Sequence, residues 1–441
     1  MSELEMKVER TIELVVPSKP TPTGTLYLSN IDLTVVFPVE TVYFFENKCI
    51  DSSADDVVGK MRESLADVLV EYHFMAGRLQ LNVEDGRVEM SYNRAGVLFA
   101  EASSQLTLAQ LGDVSLPNPC FRNLVLTIDE FKELSQTPVL TIQVTRFKCG
   151  GFCIGMVTSH SLVDGQSAAE FLFNLASMAR GQGLLIQPNF LRTSLKPRSP
   201  PQINYPHHEY IKLNNLPIET SFTTSDTQSH SPITLPQNKS FRVFTFSSEM
   251  LQCLKQKSLQ DKSLSKCSTF EAMVAHLWQV RTKAIFNDPK QTSTVLFAVD
   301  IRSRMVPPLP RGFVGNGVSS AIASASVEEI KQHNLSFCAA KIQNAIASMT
   351  DDYVRSAIDW LEINRGIPAV INDSFFLSAW WKLPFYDLDF GWGKPLYAGP
   401  VVSGMSEFVL LLSNGSQGGV NVWLMLEPHQ MEIFEGHVMD I

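Results

Sequence analysis

Residues 139–180, VLTIQVTRFKCGGFCIGMVTSHSLVDGQSAAEFLFNLASMAR, constrain the fold of this chain more than any other stretch. Polar and apolar residues alternate over 140–145, two glycines supply a turn, and the apolar run 152–157 is typical of a central strand. A short loop follows, and then apolar residues recur at helical spacing over 166–180. The order strand, turn, strand, loop, helix predicts a protein of mixed α and β structure.

The same periodicities predict mixed α and β structure in both halves of the 441-residue chain. Between the halves, residues 189–230 concentrate Pro, Ser, Thr and Asn with little apolar periodicity, which predicts a long crossover. We therefore expect an α/β fold with mixed sheets, with domains at 1–190 and 241–441 and a connection at 191–240. The predicted strands are 40–45, 87–92, 242–246, 294–300, 407–413 and 420–426, and the predicted helices are 54–70, 166–180, 248–257, 269–285, 327–348 and 351–364.

The composition excludes several classes of protein. The 36 basic and 45 acidic residues give a net charge of −9, and the basic residues are scattered, so nucleic acid is not an expected partner. No run approaches the ~20 apolar residues that span a bilayer, and residues 1–10 lead into no apolar segment. We therefore expect no membrane span and a cytoplasmic location.

No metal site is expected from the cysteines and histidines. The seven cysteines are odd in number and widely spaced, which indicates reduced thiols. Cys149 and Cys153 form a close pair without a second pair of ligands. His207 and His208 are adjacent, and adjacent side chains in an extended loop point in opposite directions.

A histidine, His160, comes just past the end of the predicted central strand. A neutral imidazole with a pKa near 6.5 suits a general base that takes a proton from an alcohol or an amine. Asp164 stands directly before a glycine and a helix start, where it can cap the helix or pair with a cation. The spacing H-x-x-x-D alone is weak evidence of a catalytic function, and a packed, hydrogen-bonded histidine is the simpler interpretation of it.

A second unusual string, D-F-G-W-G, occupies residues 389–393. Gly391 and Gly393 indicate a special backbone conformation, and Trp392 between them suggests an aromatic plug in a tight loop beside Asp389. This pattern favours an architectural role over a catalytic one.

Together, H-S-L-V-D-G at 160–165 and D-F-G-W-G at 389–393 resemble the two signatures of the plant BAHD acyltransferases. Segments similar to that family recur along the whole chain, among them LVVPSKPTP, YHFMAGRL, STFEAMVAHLW, VDIRSRMVPPLP and SAWWKLPFYDLDFGWGKP. The resemblance implies two domains similar to chloramphenicol acetyltransferase, with a solvent channel between them and His160 at its middle.

The resemblance also implies a mechanism. An acyl-CoA enters one mouth of the channel as co-substrate, the acceptor enters the other, and His160 deprotonates the acceptor for direct attack on the thioester. No cofactor is permanently bound and no acyl-enzyme is needed. The family's aspartate points away from the base and pairs with an arginine, which makes Asp164 structural support bonded to Arg302 or Arg304.

Two further groups of residues are implied by the same resemblance. Family members often carry Thr-Ser-Trp ahead of Leu-Pro, with donors near the reacting centre; here Ser378, Ala379 and Trp380 match, so Ser378 and Trp380 are candidates to touch substrate. For the phosphates of coenzyme A, the candidates are Lys266, Ser268 and Thr269 just before a helix, helped by Lys262 and Arg304.

The acyl donor and the acceptor are only partly indicated. The family's malonyl-using branch often shows Y-F-G-N-C, whereas this chain has F-V-G-N-G at 313–317. The SNIDL and TVYFF segments are more similar to hydroxycinnamoyl or other aromatic-acyl transferases that act on alcohols. The alternatives are an N-acyltransferase for amines and a non-catalytic relative that binds another acyl-processing enzyme. We expect a monomer, as is usual in the family.

Overall fold

The computed structural model describes residues 6–46, 56–116, 118–128, 131, 133–212, 239–370, 374–401, 408–415 and 418–441. Two six-stranded sheets dominate this part of the chain. The first contains, in spatial order, β1 (Glu9–Val15), β6 (Val97–Ser104), β7 (Leu140–Phe147), β8 (Phe152–Ser159), β3 (Pro38–Phe45) and β15 (Tyr397–Pro400). The second contains β10 (Ser240–Phe246), β17 (Val420–Leu426), β16 (Phe408–Ser413), β14 (Phe375–Ala379), β11 (Thr292–Asp300) and β12 (Val318–Ser326).

Smaller sheets and helices complete the described residues. β2 (Gly24–Leu26), β5 (Arg87–Tyr92) and β4 (Arg78–Asn82) form a three-stranded sheet, and β9 (Tyr210–Lys212) pairs with β13 (Gly366–Pro368). The α-helices are α1 (Val57–Glu71), α2 (Gly165–Ala179), α3 (Ser248–Lys257), α4 (Thr269–Ile285), α5 (Val327–Gln332), α6 (Leu335–Ser348), α7 (Asp351–Asn364) and α8 (Pro428–Val438).

β8 lies inside the first sheet and is buried along its whole length. Its neighbours β7 and β3 both run antiparallel to it. Because side chains alternate along a strand, one face of β8 packs with α1 and α2, while Cys153 and Val157 on the other face belong to a second apolar cluster. β8 is therefore fixed on both faces, and so is the point where it ends.

In the second sheet, β14 lies between β11 and β16 and runs parallel to both. Apolar residues of α4, α6, α7 and α8 pack with these strands in one large core cluster. This packing sets the position at which β14 ends, directly before Trp380.

The two sheets are linked by a segment from late in the chain. β15 follows the D-F-G-W-G string, yet it pairs with β3 of the first sheet, with Tyr397 opposite Phe44 and Pro400 opposite Thr41. Residues 397–400 belong to the predicted second domain in sequence but to the first sheet in structure.

Most predicted elements are confirmed, with ends within three residues of the observed ones. The helix predicted over 327–348 is wrong as a single element: it is two helices, α5 and α6, and Asn334 between them caps α6 by accepting from the Phe337 amide. Residues 54, 55, 407 and the crossover from 213 to 238 lie outside the described residues. No helix in the described ranges is long and apolar enough to cross a bilayer.

Candidate active site

His160 directly follows β8, where the central strand leaves the first sheet. Its backbone amide donates to the Phe37 carbonyl at 2.9 Å. Its ring lies edge-on to the Phe37 ring, with centroids 5.1 Å apart. The residue is partly exposed, unlike the strand that precedes it. The fold therefore presents one imidazole at the end of a rigid, buried strand.

One ring nitrogen of His160 is engaged and the other is not. Nδ1 lies 3.1 Å from Oδ1 of Asn316. The Nδ2 group of Asn316 donates to the His160 carbonyl at 2.8 Å, which fixes Oδ1 toward the ring. An amide oxygen can only accept, so Nδ1 of His160 must carry the proton. Nε2 then keeps its lone pair and has no hydrogen-bond partner among the described residues.

Burial lowers the pKa of His160, and this effect outweighs the opposing influence of Asp164, Asn316 and Asp32. The imidazole is thus kept neutral near neutral pH, which is the state a general base requires.

Asp164 is held by Arg302 and by two backbone amides. Burial alone would raise the pKa of Asp164, but the charge and hydrogen bonds of Arg302 and two backbone amides outweigh it and lower the pKa. Arg302 donates from Nη1 and Nη2 to the two carboxylate oxygens at 2.8 and 2.9 Å. Asp164 also caps α2 by accepting from the Ser167 amide at 2.9 Å. The carboxylate is therefore ionised and fully occupied.

Of the two arginines predicted as possible partners of Asp164, Arg302 makes the bond. Arg304 instead donates to the carbonyls of Ile346 and Met349, at 2.9 and 3.3 Å. These carbonyls lie at the C-terminal end of α6, where a cation is favourable.

Ser378 and Trp380 stand at the end of β14 and contact each other. The indole nitrogen of Trp380 donates to the Ser378 hydroxyl at 3.1 Å. Both side chains are partly exposed. Because the indole has a single N–H, the Ser378 hydroxyl is the group left with a proton to donate outward.

Three aromatic rings run from Trp380 into the first sheet. Trp380 lies 6.0 Å from Phe385, and Phe385 lies edge-on to Tyr43 of β3 at 5.7 Å. The Tyr43 hydroxyl is buried and has no hydrogen-bond partner in the described part of the chain. The nearby Thr41 side chain lowers the pKa of Tyr43, against the larger raising by burial, and donates to the Met156 carbonyl at 3.4 Å. The Tyr43 hydroxyl is one of seven buried side-chain polar atoms that have no hydrogen-bond partner among the described residues.

The D-F-G-W-G string forms a tight loop on the first core. Asp389 Oδ1 accepts from the amides of Gly391 and Gly393 at 2.7 and 3.1 Å. Both glycines have positive φ, 102° and 94°, which side-chain-bearing residues adopt at a cost. Trp392 is buried with its ring edge-on to Phe152 of β8, 5.5 Å away. The loop packs against the strand that carries His160.

Three of the residues predicted for coenzyme A, Lys266, Ser268 and Thr269, lie together at the start of α4, whereas Arg304 lies at the end of α6. Ser268 caps this helix by accepting from the Glu271 amide at 3.2 Å, and its own amide donates to Glu271 at 2.7 Å. Lys266 is exposed and Thr269 begins the helix. The Ser268 amide is therefore engaged by the Glu271 carboxylate, and the Ser268 hydroxyl by the Glu271 amide. Phosphate binding here stays a prediction.

His207 makes its bonds within the fold. Nδ1 lies 2.8 Å from Glu209 and Nε2 lies 2.9 Å from the Ser356 hydroxyl, so both ring nitrogens are used. In the described ranges, no three His, Cys, Asp or Glu side chains come together as a metal site would need.

Three residues near His160 were not predicted from the sequence, and only Asn316 among them bonds to His160. Asn316 ends the G-F-V-G-N segment, Asp32 lies in S-N-I-D-L, and Arg192 opens the crossover. Asp32 contacts both Asn316 and Arg192. An acid in an otherwise apolar stretch was the available signal for Asp32.

Comparisons with known proteins show which protein family this chain is related to. The model of the Transferase family matches residues 6–441. An omega-hydroxypalmitate O-feruloyl transferase of Arabidopsis thaliana is 34% identical, over 97% of this chain and 92% of the relative. A shikimate O-hydroxycinnamoyltransferase of Nicotiana tabacum is 32% identical, over 99% of this chain and 100% of the relative.

Among solved structures, vinorine synthase has a similar fold, with a TM-score of 0.75 at 24% identity over 97% of this chain and 96% of its own. The match of the family over residues 6–441 and the relatives above 30% identity show that the chain belongs to the Transferase family, the BAHD acyl-CoA-dependent acyltransferases, as its two signatures predicted.

Proposed function

We propose that this protein transfers a hydroxycinnamoyl-type acyl group from coenzyme A to the hydroxyl of an apolar alcohol, with His160 as the general base. The single observation that carries the proposal is the geometry at His160. Its Nδ1 is held by Asn316, while Nε2 has no partner among the described residues on a partly exposed ring. A neutral imidazole in this state can accept a proton from an alcohol.

The proposed reaction has one addition and one elimination. Nε2 of His160 takes the acceptor's O–H proton as that oxygen bonds to the thioester carbonyl carbon. The carbonyl oxygen becomes an oxyanion, and the Ser378 hydroxyl, oriented by Trp380, is the donor aimed at it. The carbon–sulfur bond then breaks, the carbonyl reforms, and the leaving thiolate takes the proton back from His160.

The aromatic rings near Trp380 support an aromatic acyl group. Trp380, Phe385 and Tyr43 form a continuous ring contact that ends at a buried, unpaired hydroxyl. A hydroxylated cinnamoyl ring would pack on these rings and pair with Tyr43. The two relatives named above are, by their names, a feruloyl and a hydroxycinnamoyl transferase.

The segment beside His160 supports an apolar acceptor. Residues 33–39 are apolar except for the buried Thr34, and the others are partly or fully exposed. The nearby charges are neutralised, Asp32 by Arg192 and Asp164 by Arg302. An anionic acceptor would need a free cation here and an amine acceptor a free acid, so an uncharged alcohol fits best. The feruloyl transferase relative acts, by its name, on ω-hydroxypalmitate, an aliphatic alcohol whose carboxylate lies at the opposite end of the chain from the ω-hydroxyl.

The two domains at 1–190 and 241–441, the channel between them, the monomeric state and the cytoplasmic location stay predictions. Coenzyme A as leaving group follows from the family, and its phosphate-binding residues are proposed as Lys266, Ser268 and Thr269, while Arg304 is committed to the end of α6.

The test measures release of the coenzyme A thiol from p-coumaroyl-, feruloyl-, caffeoyl-, acetyl- and malonyl-CoA. The acceptors are a fatty alcohol, an ω-hydroxy fatty acid, shikimate and an aromatic amine. We expect release with hydroxycinnamoyl donors and aliphatic alcohols, lost in His160→Ala and kept in His429→Ala, an exposed histidine at the start of α8. Release with amines alone would favour the N-acyltransferase, and binding of coenzyme A without turnover would favour the non-catalytic relative.

A further inference from the structure

A fully buried ion pair contacts the asparagine that holds His160. Arg192 Nε donates to Asp32 Oδ2 at 2.9 Å, and neither side chain is exposed. Asp32 Oδ1 accepts from the backbone amide and from Nδ2 of Asn316, at 3.0 and 2.9 Å. Ser29 adds two donors to Oδ2, both at 2.8 Å. The carboxylate thus has two donors on Oδ1 and three on Oδ2.

This arrangement decides which way the Asn316 side chain faces. An ionised carboxylate can only accept, so the Asn316 group next to Asp32 must be the NH₂. If the amide flipped, its oxygen would lie against Asp32 Oδ1 and against the His160 carbonyl, two acceptors that now receive Nδ2. The oxygen of Asn316 is therefore forced toward Nδ1 of His160.

We propose that Asp32 is a positioning residue for acyl transfer, which acts through Asn316 to keep the proton of His160 on Nδ1 and the lone pair on Nε2. The proposal rests on the proposed role of His160 as the base. Asp32 makes no hydrogen bond to the ring of His160, so its effect on the tautomer passes through the orientation of the Asn316 amide.

Arg192 supports the same arrangement from the other side. Besides Asp32, it donates from Nη2 to the carbonyl of Leu162, two residues after His160, at 3.0 Å. Its positive charge also compensates the negative charge of Asp32, because a buried carboxylate without a partner would not stay ionised. The pair thus holds both the amide beside His160 and the loop that follows it.

A purely structural ion pair would give a different result. Buried ion pairs often add little net stability over apolar residues of similar volume. Asp359 is a matched case: it is equally buried, and it accepts from the Arg198 amide, the Arg198 guanidinium and the Gln202 amide at 2.6 to 2.8 Å. It fastens the crossover to α7 and has no bond to His160 or Asn316. Asp359→Asn is therefore the control.

The charge of Asp32 also predicts the direction in which the pKa of His160 should move when that charge is removed. Two acids, Asp32 and Asp164, act on His160, and each is paired with an arginine. Asp32 raises the pKa of His160, against the larger lowering by burial. Removing its charge should move the acid limb of the kcat/KM profile to lower pH, whereas Asp359→Asn should leave that limb in place.

The first test uses the unmodified protein and needs no turnover. ¹⁵N NMR of histidine-labelled protein, with His160→Ala to assign the signal, reports which ring nitrogen carries the proton. We expect the Nδ1–H form for neutral His160. An Nε2–H form would overturn the proposal, and an active His160→Ala would instead overturn the proposed function while the tautomer remains readable.

The second test compares Asp32→Asn with Asp359→Asn. In Asp32→Asn, the amide that replaces the carboxylate can no longer offer acceptors to both Arg192 and Asn316. The Asn316 amide can then flip and move the proton of His160 to Nε2. We expect kcat to fall at least about 10²-fold, as wrong-tautomer variants of serine proteases do, with KM for the acyl-CoA nearly unchanged. Equal losses of kcat in the two variants would overturn the proposal.

A double-variant cycle separates this route from general damage to the site. If Asp32 acts only through Asn316, then Asp32→Asn should have little further effect on kcat in an Asn316→Ala background. It should still lower the melting temperature there. If the fold-losses in kcat of the two single variants multiplied in the double variant, the proposed route would be contradicted. If Asp32→Asn does not fold, the tautomer of the unmodified protein decides.

Discussion

Arg302 donates to both carboxylate oxygens of Asp164, which lies 138 residues earlier in the sequence, at 2.8 and 2.9 Å. The bond joins the loop after β11 to the N-cap residue of α2. It also engages both oxygens of the acid of the H-x-x-x-D motif, which accept from the Ser167 and Gly317 amides as well. The motif's acid therefore fastens the loop that follows His160, the proposed base.

Replacing Arg302 with Met should strongly destabilise the fold. The change leaves Asp164, with 3% of its side chain exposed, as an uncompensated buried charge, so the free energy of unfolding should fall by about 3–5 kcal/mol. Arg242→Met removes an exposed pair with Glu435 and should change it by less than about 1 kcal/mol. Urea denaturation of both variants checks this, and equal small losses would contradict it.

The pH dependence of the reaction should follow the lowered pKa of His160. Burial disfavours the imidazolium, so the neutral base persists to lower pH than in free histidine, whose pKa is about 6.5. Activity is lost as pH falls through the pKa of the folded protein, so the acid limb of kcat/KM should lie below about 6.5. A limb above that value would contradict the proposed environment of His160.

Asp389→Ala should reduce stability without abolishing the chemistry. Two glycine amides lose their acceptor, and about 1–3 kcal/mol of unfolding free energy should be lost. The control is Asp387→Ala, two residues earlier, which removes only an exposed pair with Lys394. Thermal and urea unfolding compare the two. If Asp389→Ala lost kcat but kept its stability, the loop would have a catalytic role instead.

Ser378→Ala should lower kcat more than Trp380→Phe does. Ser378→Ala removes the proposed oxyanion donor and should lower kcat about 10²-fold with little change in KM. Trp380→Phe keeps a ring but loses the N–H that orients Ser378, so its loss should be smaller. The reverse order would make the indole the donor, and steady-state kinetics with one acyl-CoA decides.

Sequence patterns predicted the strand that precedes His160, because a wholly buried strand leaves a continuous apolar signal. They did not predict the burial of Thr141, Gln143 and Thr145 on β7, whose polar side chains are buried between two layers. Thr141 donates to Leu126 and Gln143 to Asn123, partners that no local pattern reveals.

The candidate site was predictable where a residue's role is local and hidden where it depends on distant contacts. His160 and Asp164 follow from a strand end and a helix start. Asn316 lies 156 residues from His160, and Asp32 lies 284 residues from Asn316. Arg302 and Arg304 differ only in which carbonyl or carboxylate the folded chain brings to them, so the sequence left that choice open.

Tyr43→Phe should change the preference among acyl donors and leave the fold intact. The Tyr43 hydroxyl has no partner in the described part of the chain, so its removal should not destabilise the protein. It should lower kcat/KM about tenfold for p-coumaroyl-CoA but not for cinnamoyl-CoA, which lacks the ring hydroxyl. Tyr72→Phe is the control, because its buried hydroxyl already bonds to Asn174 at 2.9 Å. That variant should lose stability and keep the donor preference. If Tyr43→Phe lowered kcat/KM equally for both donors, the hydroxyl would not be the group that recognises the ring.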